Sequence, residues 1–290
     1  MQQIWNVFGK RAQSRSQYSS LPGSRFSIRS GLVTAVLVCG LQAQMSADPV
    51  PVRHFQGTVH GFLVQRGEDG KIIATGDSVQ VSRGNQVTSR TTFTYKDGSV
   101  DDDTTVFTQQ RVFKLISDHH IQKGPFFPHP MDLMIDTRTG QVTYKTTGKD
   151  GKQDVHTQHM NLPEDLANGM VSQVIANLRA GEPLATVSIL VTAPKPRIVK
   201  LQISPVGEDN FAVGGASRKA SHYEIKIELG GVAGVVAPLV GKAPPNIQFW
   251  QIGGEAPTFL REKGPTFQDG PMITIEQMSP EWPDTPKSNT

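Results

Sequence analysis

The chain has 290 residues, with 29 Lys and Arg against 26 Asp and Glu, a formal net charge of +3 and 37% hydrophobic residues. This length is sufficient for a domain with a sizeable core. A single cysteine, Cys39, excludes a disulfide framework and any metal site built from several thiolates.

The first 47 residues predict a secretory signal peptide. They contain five basic residues and no acidic one, and they end in the apolar run 31–41, which small residues follow. The run is shorter than the ~20 apolar residues of a transmembrane helix. We predict cleavage after Ala47, a periplasmic or extracellular location and no transmembrane anchor in the mature chain. A mitochondrial transit peptide is the open alternative, but its helix would be amphipathic.

Cleavage would also change the charge of the protein. The mature chain would carry 24 basic and 26 acidic residues, a net charge of about −2, and it would contain no thiol because Cys39 lies in the apolar run. Nucleic-acid binding would then lose its electrostatic support. We therefore predict no nucleic-acid partner.

A β-meander is predicted from Val52 onwards. Alternating apolar and polar runs are separated by Asp-Gly pairs at 69–70, 97–98 and 150–151, which favour tight hairpin turns. We expect a single β-rich domain over 48–279. The last residues, 280–290, are rich in Pro and polar residues and predict a flexible tail.

One helix is predicted within this β structure, over about 162–180. Pro163 suits its first turn, Arg179 its last turn and Gly181 its C-terminal cap, while Gly169 indicates a kink or a close backbone approach. Seven apolar residues share one half of the helical wheel: Leu166, Ala167, Met170, Val171, Val174, Ile175 and Leu178. An apolar helix face of this width needs a broad sheet to cover it. The predicted fold is therefore mainly β, a curved antiparallel sheet wrapped around one principal helix.

A second series of alternating runs follows the helix, from ATVSILVT at 185–192 to MITIEQM at 272–278. The meander, LPEDLANGM at 162–170 and HYEIKIELGGVAGVVAPLVGKAPPNIQFW at 222–250 together resemble a family of uncharacterised secreted bacterial proteins. That family, a domain of unknown function, is similar to the lipoprotein carriers LolA and LolB. The resemblance spans Val52 to Met278. It implies an incomplete β-barrel with a helix on its concave side, and it transfers no site residues.

No motif specifies a catalytic residue or a cofactor. The run 230–242 has Ala243 where a phosphate loop needs Ser or Thr, and its glycine spacing is too long. Residues 136–140 interrupt the Asp-Thr-Gly sequence of aspartic proteases, and Ser217 lacks the second glycine of a nucleophile elbow. We therefore predict a noncatalytic protein without a cofactor.

The histidine and aspartate clusters are predicted to be structural, with no metal bound. Neighbouring strand residues point to opposite faces, so His119 and His120 cannot chelate one ion. Residues 101–103, three aspartates, do not follow the spacing of a calcium loop and are predicted to form a solvated hairpin edge. Histidines gathered from distant strands could still bind a metal. Converging acids and histidines would indicate an enzyme.

Two adjacent phenylalanines, Phe126 and Phe127, stand in the proline-rich loop 124–130. Such a loop cannot join the interior of a sheet. The rings either plug the open end of the barrel as part of the core or form a lid or partner-contact loop.

Three functions are compatible with these features. The first is an exported, noncatalytic envelope protein that binds an apolar ligand, such as a lipid or acyl chain, between helix and sheet. The alternative is a structural or assembly module that docks another envelope protein through a sheet edge or the 124–130 loop. A hydrolase is the third function, and no motif supports it. The candidate cavity wall for the first consists of Leu166, Met170, Val174 and Leu178.

Overall fold

A computed structural model describes most of the chain after the predicted signal peptide. The described residues are 49–147, 152–179, 184–192, 195–213, 216–228, 244–267 and 270–278. The predicted signal peptide 1–47, the predicted tail 280–290 and the glycine-rich run 230–242 lie outside the described residues.

Fourteen β-strands and one short helix, α1 (Val171–Ala176), make up the regular structure of the described residues. The strands before the helix are β1 (Val59–Arg66), β2 (Ile72–Arg83), β3 (Gln86–Tyr95), β4 (Val100–Gln109), β5 (Phe113–Lys123), β6 (Met131–Asp136), β7 (Gln141–Thr147) and β8 (Gln153–His159). The strands after the helix are β9 (Ala185–Val191), β10 (Arg197–Val213), β11 (Ala216–Glu228), β12 (Ile247–Ile252), β13 (Thr258–Pro265) and β14 (Met272–Gln277).

All fourteen strands form one antiparallel sheet, in the order β8-β7-β6-β5-β4-β3-β2-β1-β14-β13-β12-β11-β10-β9. Every pair consists of strands that are consecutive in the chain except β1 with β14, where Leu63 lies opposite Gln277. This pairing joins the meander before the helix to the meander after it. The sheet is open, with β8 and β9 as its edges, so the prediction of a mainly β, antiparallel fold is confirmed.

The tight turns have the backbone geometry that the Asp-Gly pairs predict. Gly70 and Gly98, of two Asp-Gly pairs, have positive φ angles of 77° and 83°, and Gly140, in the turn 136–140, has a φ of 69°. Glycine adopts these angles without a steric penalty, so the chain reverses directly into the next strand. The third Asp-Gly pair, at 150–151, lies outside the described residues.

The predicted helix over 162–180 is wrong in length, because α1 has only six residues. Gly169 has a φ of 63° and Met170 is non-helical, so the helical path is interrupted just before Val171. The preceding segment also uses its backbone groups elsewhere: the Ala167 N–H donates to the Ser188 carbonyl at 2.8 Å. Tertiary hydrogen bonds to the sheet therefore replace the intrahelical ones that the sequence pattern predicted.

Residues 165–168 cover the β9 edge of the sheet. Leu166 forms a parallel bridge with Ser188, and the Leu190 N–H donates to Asn168 Oδ1 at 3.0 Å. Ser188 also joins a buried polar group in which Lys200 Nζ donates to Asp165 Oδ2 at 2.8 Å and to Ser188 Oγ at 2.7 Å. These contacts satisfy backbone groups that an open edge would leave unpaired.

The larger hydrophobic core lies between the α1 segment, which is the stretch 163–176 that includes α1, and strands of both halves of the sheet. The smaller core joins β1, β2, β3 and β14 to Phe127. Within the described ranges, no helix has the length and apolar character needed to cross a bilayer.

Candidate functional site

The inner face of the sheet, defined as the face that residues 169–177 cover, carries polar side chains in two rows. Strand residues two apart point to the same face, so successive antiparallel registers repeat each row across four strands. The row nearer the Gly84 turn contains Gln80, Ser89, Thr105 and Asp118. The next row contains Ser78, Thr91, Asp103 and His120.

A half-open pocket of about 220 Å³ lies between α1 and the β2 and β3 ends of these rows. Ser172, Gln173 and Ala176 of α1 form one wall. The sheet provides a largely apolar wall from strands on both sides of the β1–β14 pairing. This apolar wall includes Leu63, Phe93, Phe249, Phe259 and Ile275.

The polar part of the pocket contains only neutral groups. Among the lining residues that the structure describes, none is charged. Five primary amides line the pocket: Gln56, Gln80, Gln173, Gln251 and Gln277. Five hydroxyl groups accompany them: Ser78, Ser89, Thr91, Ser172 and Thr258.

Hydrogen bonds hold several of these amides in place. Gln173 Nε2 donates to Gln80 Oε1 at 3.2 Å, which links α1 to β2. Gln80 Nε2 donates to the Gly57 carbonyl at 3.0 Å, and Ser172 Oγ donates to Gln173 Oε1 at 2.8 Å. The polar wall is therefore pre-organised on the helix and the sheet.

A buried acid cluster lies directly behind the β3 wall of the pocket. We use this name for Asp101, Asp103, Asp118 and His120, of which none is more than 4% exposed. The strand registers place Asp103 opposite Thr91, and Asp101 opposite Phe93, both pocket residues. The cluster therefore adjoins the pocket without lining it.

Hydrogen bonds pair the members of the acid cluster. His120 Nε2 lies 2.7 Å from Asp101 Oδ1, and Thr105 Oγ1 donates to Asp118 Oδ1 at 2.8 Å. Asp103 and Asp118 influence each other's pKa, and the buried atoms Asp103 Oδ1 and Asp118 Oδ2 accept no hydrogen bond from a donor group. Two ionised carboxylates cannot donate to each other, so a bond between these two groups requires one carboxyl to keep its proton.

Burial and neighbouring charges shift the titration of the cluster. Burial and the nearby Asp118 carboxylate raise the pKa of Asp103 well above its usual value. Burial also raises the pKa of Asp118, to about 6, although hydrogen bonds from Thr105 and Asp103 oppose the shift. Burial alone would lower the pKa of His120, but the charge of Asp101 and its hydrogen bond outweigh burial and raise it.

The sequence-based prediction of a solvated hairpin edge is wrong for Asp101 and Asp103. Their strand, β4, lies between β3 and β5, so alternate residues point into the covered face. Only Asp102 points outward, where Arg90 Nε donates to its carboxylate at 3.0 Å. The alternation of these three residues was visible in the sequence, but the burial of the inner face was not.

The acid cluster does not form a recognisable metal or nucleophile site. Within the described part of the chain, no group of three or more His, Cys, Asp or Glu is arranged to hold a metal ion.

The buried Ser188 Oγ, which contacts Lys200 Nζ, also donates to Asp165 at 2.8 Å. Because Lys200 Nζ is ion-paired with the same carboxylate, this group ties β9 to the α1 segment rather than activating a serine.

The predicted cavity-wall residues lie on the other side of α1 from the pocket. Leu166, Met170 and Val174 are each 2% exposed or less and belong to the larger core, against which the half-buried Leu178 packs. None of the four is among the residues that line the pocket. The polar residues Ser172 and Gln173, which lie outside the apolar half of the predicted helical wheel, line the pocket instead.

The two phenylalanines of the 124–130 loop pack into the smaller core. Phe127 is buried, and Phe126 stacks on Tyr95 with ring centroids 4.3 Å apart. Phe267 contacts both rings edge-on, at 6.1 Å from Phe126 and 6.0 Å from Phe127. The loop therefore contributes an aromatic cluster to the core next to the β3–β4 turn.

Comparison with known proteins gives few matches. No protein-family model matches the chain, and no curated protein matches it. A beta-barrel-like protein of the domain of unknown function DUF1849 from Brucella abortus aligns with 79% of this chain and 99% of its own, at 9% identity and a TM-score of 0.46. The hypothetical lipoprotein YmcC from Escherichia coli (K12) aligns with 77% of this chain and 86% of its own, at 8% identity and a TM-score of 0.31. With TM-scores below 0.5, neither alignment assigns a function to this chain.

Proposed function

We propose that the mature protein is an exported, noncatalytic envelope protein that holds an apolar or amphipathic ligand between α1 and the sheet. The observation that carries this proposal is the half-open pocket of about 220 Å³, with an apolar wall on one side and neutral amides on the other. A relationship to the LolA and LolB lipoprotein carriers, which the sequence resemblance implies, is part of the proposal.

The size of the pocket supports a ligand segment rather than a whole lipid. An apolar cavity of ~150 Å³ is sufficient to bind benzene, whereas sites for drug-sized ligands occupy roughly 300–1,000 Å³. A pocket of about 220 Å³ therefore suits one end of a short chain or a single ring. Because the pocket is half-open, the rest of a longer ligand can extend into solvent.

The packing of α1 supports the same proposal. Leu166, Met170 and Val174 anchor one side of the α1 segment in the core, which positions Ser172 and Gln173 against the sheet. In this proposal the four predicted cavity-wall residues hold the wall in place, and the opposite face of α1 contacts the ligand. The lack of a charged group among the lining residues that the structure describes supports a noncatalytic role.

A pocket-filling substitution tests the proposal. Gly61 lines the pocket, and a Cβ added there would approach only Gln277 Nε2, at 4.0 Å. A Gly61→Leu substitution is therefore expected to fill the space without disturbing β1. The matched control is Gly253→Leu, because a Cβ at Gly253 meets no atom within 4 Å and the residue does not line the pocket.

The measurement is titration of detergent-free protein with the neutral fluorescent probe N-phenyl-1-naphthylamine, together with native mass spectrometry. We expect saturable binding by the natural sequence and by Gly253→Leu, and at least tenfold weaker binding by Gly61→Leu. Binding that is absent, or equal in all three proteins, would contradict the proposal. Export is tested separately by N-terminal sequencing of the protein from its producing cells, where we expect Asp48 or a close neighbour as the first residue.

The assembly-module alternative is favoured by the β8 edge. In the described part of the chain, β8 pairs only with β7, and nearly all of its residues are exposed, including Val155 at 60%. An unpaired, exposed strand offers hydrogen-bonding groups to a partner strand. Crosslinking in cells, compared between the natural sequence and Val155→Pro, distinguishes this alternative, because proline at the edge removes a backbone donor.

A further inference from the structure

We propose that the pocket selects ligands whose polar end is uncharged, such as an amide or a hydroxyl, and rejects the same chains when they end in a carboxylate. This inference rests on the proposed ligand-holding function and names the chemical class of the ligand. It follows from the neutral lining of the pocket and from the acid cluster that adjoins it.

The lining provides no countercharge for an anionic end group. Its polar groups, among the residues that the structure describes, are primary amides and hydroxyls. Moving an ionised carboxylate out of water into such a site is costly unless a cation pairs with it. An amide or hydroxyl requires only one or two neutral hydrogen bonds, which the glutamines can supply.

Two arginines close to the pocket elements are held by other groups. Arg53 contacts Asn177, the residue that follows α1. Its backbone N–H donates to Asn177 Oδ1 at 2.7 Å, and its guanidinium donates to the Asn177 carbonyl. Arg90, on the opposite face of β3, donates to the Asp102 carboxylate at 3.0 Å. Neither guanidinium lines the pocket.

The acid cluster supplies no unpaired cation on the β3 side of the pocket. It contains three carboxyls and one imidazole, and Asp103 lies directly opposite the pocket residue Thr91. The imidazole, His120, is paired with Asp101, with Nε2 at 2.7 Å from Oδ1. A ligand carboxylate would therefore find no cation on this side to replace its lost hydration.

Glutamines of the pocket wall are held in orientations that can receive a neutral polar group. Gln251 donates Nε2 to the Ile175 carbonyl at 3.3 Å and to the Tyr223 hydroxyl at 3.5 Å. Gln173 and Gln80 are joined to each other at 3.2 Å. Fixed amides distinguish ligands more sharply than mobile ones, because they lose little conformational entropy on binding.

Probes with the same ten-carbon chain test the selectivity. Decanamide, 1-decanol and sodium decanoate are compared as competitors of N-phenyl-1-naphthylamine on the detergent-free protein at pH 7.5. We expect decanamide and 1-decanol to displace the dye at concentrations at least tenfold lower than decanoate. If decanoate competes as well as decanamide while Gly61→Leu still blocks the dye, the inference is overturned and the proposed function stands. If the dye itself does not bind, the proposed function fails.

A charge-introducing variant provides a second, independent readout. Gln173→Lys places a cation in the pocket wall, whereas Gln153→Lys places the same charge on the exposed strand β8. We expect Gln173→Lys to improve decanoate binding at least tenfold relative to 1-decanol binding, and Gln153→Lys to leave that ratio unchanged. Ser172→Lys, also in the pocket wall, replaces Gln173→Lys if circular dichroism shows that the latter is unfolded. Unchanged decanoate binding in a folded wall variant would contradict the inference.

Discussion

At Gly169, the chain combines a positive φ angle with a close approach to the sheet. Its φ is 63°, and a Cβ added there would lie 1.8 Å from Thr105 Oγ1 and 2.7 Å from Asp118 Oδ1. The sequence predicts a kink or a close backbone approach at this glycine, and the structure contains both. Gly169 therefore ends the turn before α1 and brings it against the first polar row.

We expect Gly169→Ala to destabilise the protein by more than ~2 kcal/mol, because backbone strain and overlap with Thr105 add. Gly84→Ala is the matched control: its φ is 60°, but a Cβ there meets no atom within 4 Å. That substitution should cost only ~1 kcal/mol. Urea denaturation of both variants measures the difference, and equal losses would show that residue 169 does not press against the sheet.

The acid cluster makes stability depend on pH in one direction. The folded-state pKa values of Asp103, Asp118 and His120 are all raised, so the folded protein binds more protons than the unfolded chain. Their contribution is present at low pH and is lost as the pH rises through the folded-state pKa values. For Asp118 the window lies between the usual value of 3.8 and about 6.

We expect the free energy of unfolding to fall by roughly 2 kcal/mol between pH 5 and pH 8. The fall should be smaller in Asp103→Asn, which keeps a hydrogen-bond donor towards Asp118 but removes one titrating carboxyl. Asp154→Asn, on the exposed strand β8, should keep the natural profile. Urea denaturation at several pH values measures these curves, and a profile of Asp103→Asn that matches the natural one would refute the shared-proton arrangement.

Among the elements, the segment 163–176 departs most from its predicted form. Its apolar residues are buried as the helical wheel predicted, although only Val171–Ala176 is helical. The pattern of apolar spacing reports which side chains are buried, but turns and a short helix can satisfy it as well as a continuous helix. Hydrogen bonds to β9 select the first arrangement.

We expect Leu166→Ala to destabilise the protein by ~2–5 kcal/mol, because it removes a side chain that is 1% exposed and leaves a cavity. The matched control is Leu184→Ala, since Leu184 is 45% exposed, and its loss should stay below ~1 kcal/mol. Chemical denaturation compares the two. Equal, small losses would mean that the α1 segment is only loosely attached to the sheet.

For the whole molecule, β14 is the element that joins the two halves of the sheet. It pairs with β1 on one side and β13 on the other, and its Ile273 and Ile275 are 1% and 2% exposed. The β1–β14 pairing joins segments roughly 200 residues apart, so closing it costs loop entropy before its contacts form. Stability of the sheet should therefore depend on this strand.

Two truncations test the role of β14. Removal of residues 279–290, most of them in the predicted tail, should leave the melting temperature of the protein nearly unchanged. Removal of residues 271–290, which also deletes β14, should abolish cooperative unfolding, because it exposes β1 and β13 as new edges. Thermal scans by circular dichroism compare the two proteins. A cooperative transition in the shorter one would show that the halves are stable apart.

The sequence by itself determined where most strands lie, because alternation and turn residues act locally. The runs 185–192 and 272–278 were predicted as strands and contain β9 and β14. The strand β8 was missed, since its exposed residues show no apolar alternation.

Only the tertiary structure decided which polar residues form the site. Asp101 and Asp103 are buried on the inner face of a strand that lies inside the sheet, between β3 and β5, and no local pattern encodes that neighbourhood. The same holds for Gln80 and Gln251, which come from strands far apart in the chain and meet at one pocket. Local sequence specifies the direction of each side chain, whereas long-range strand pairing specifies what that side chain faces.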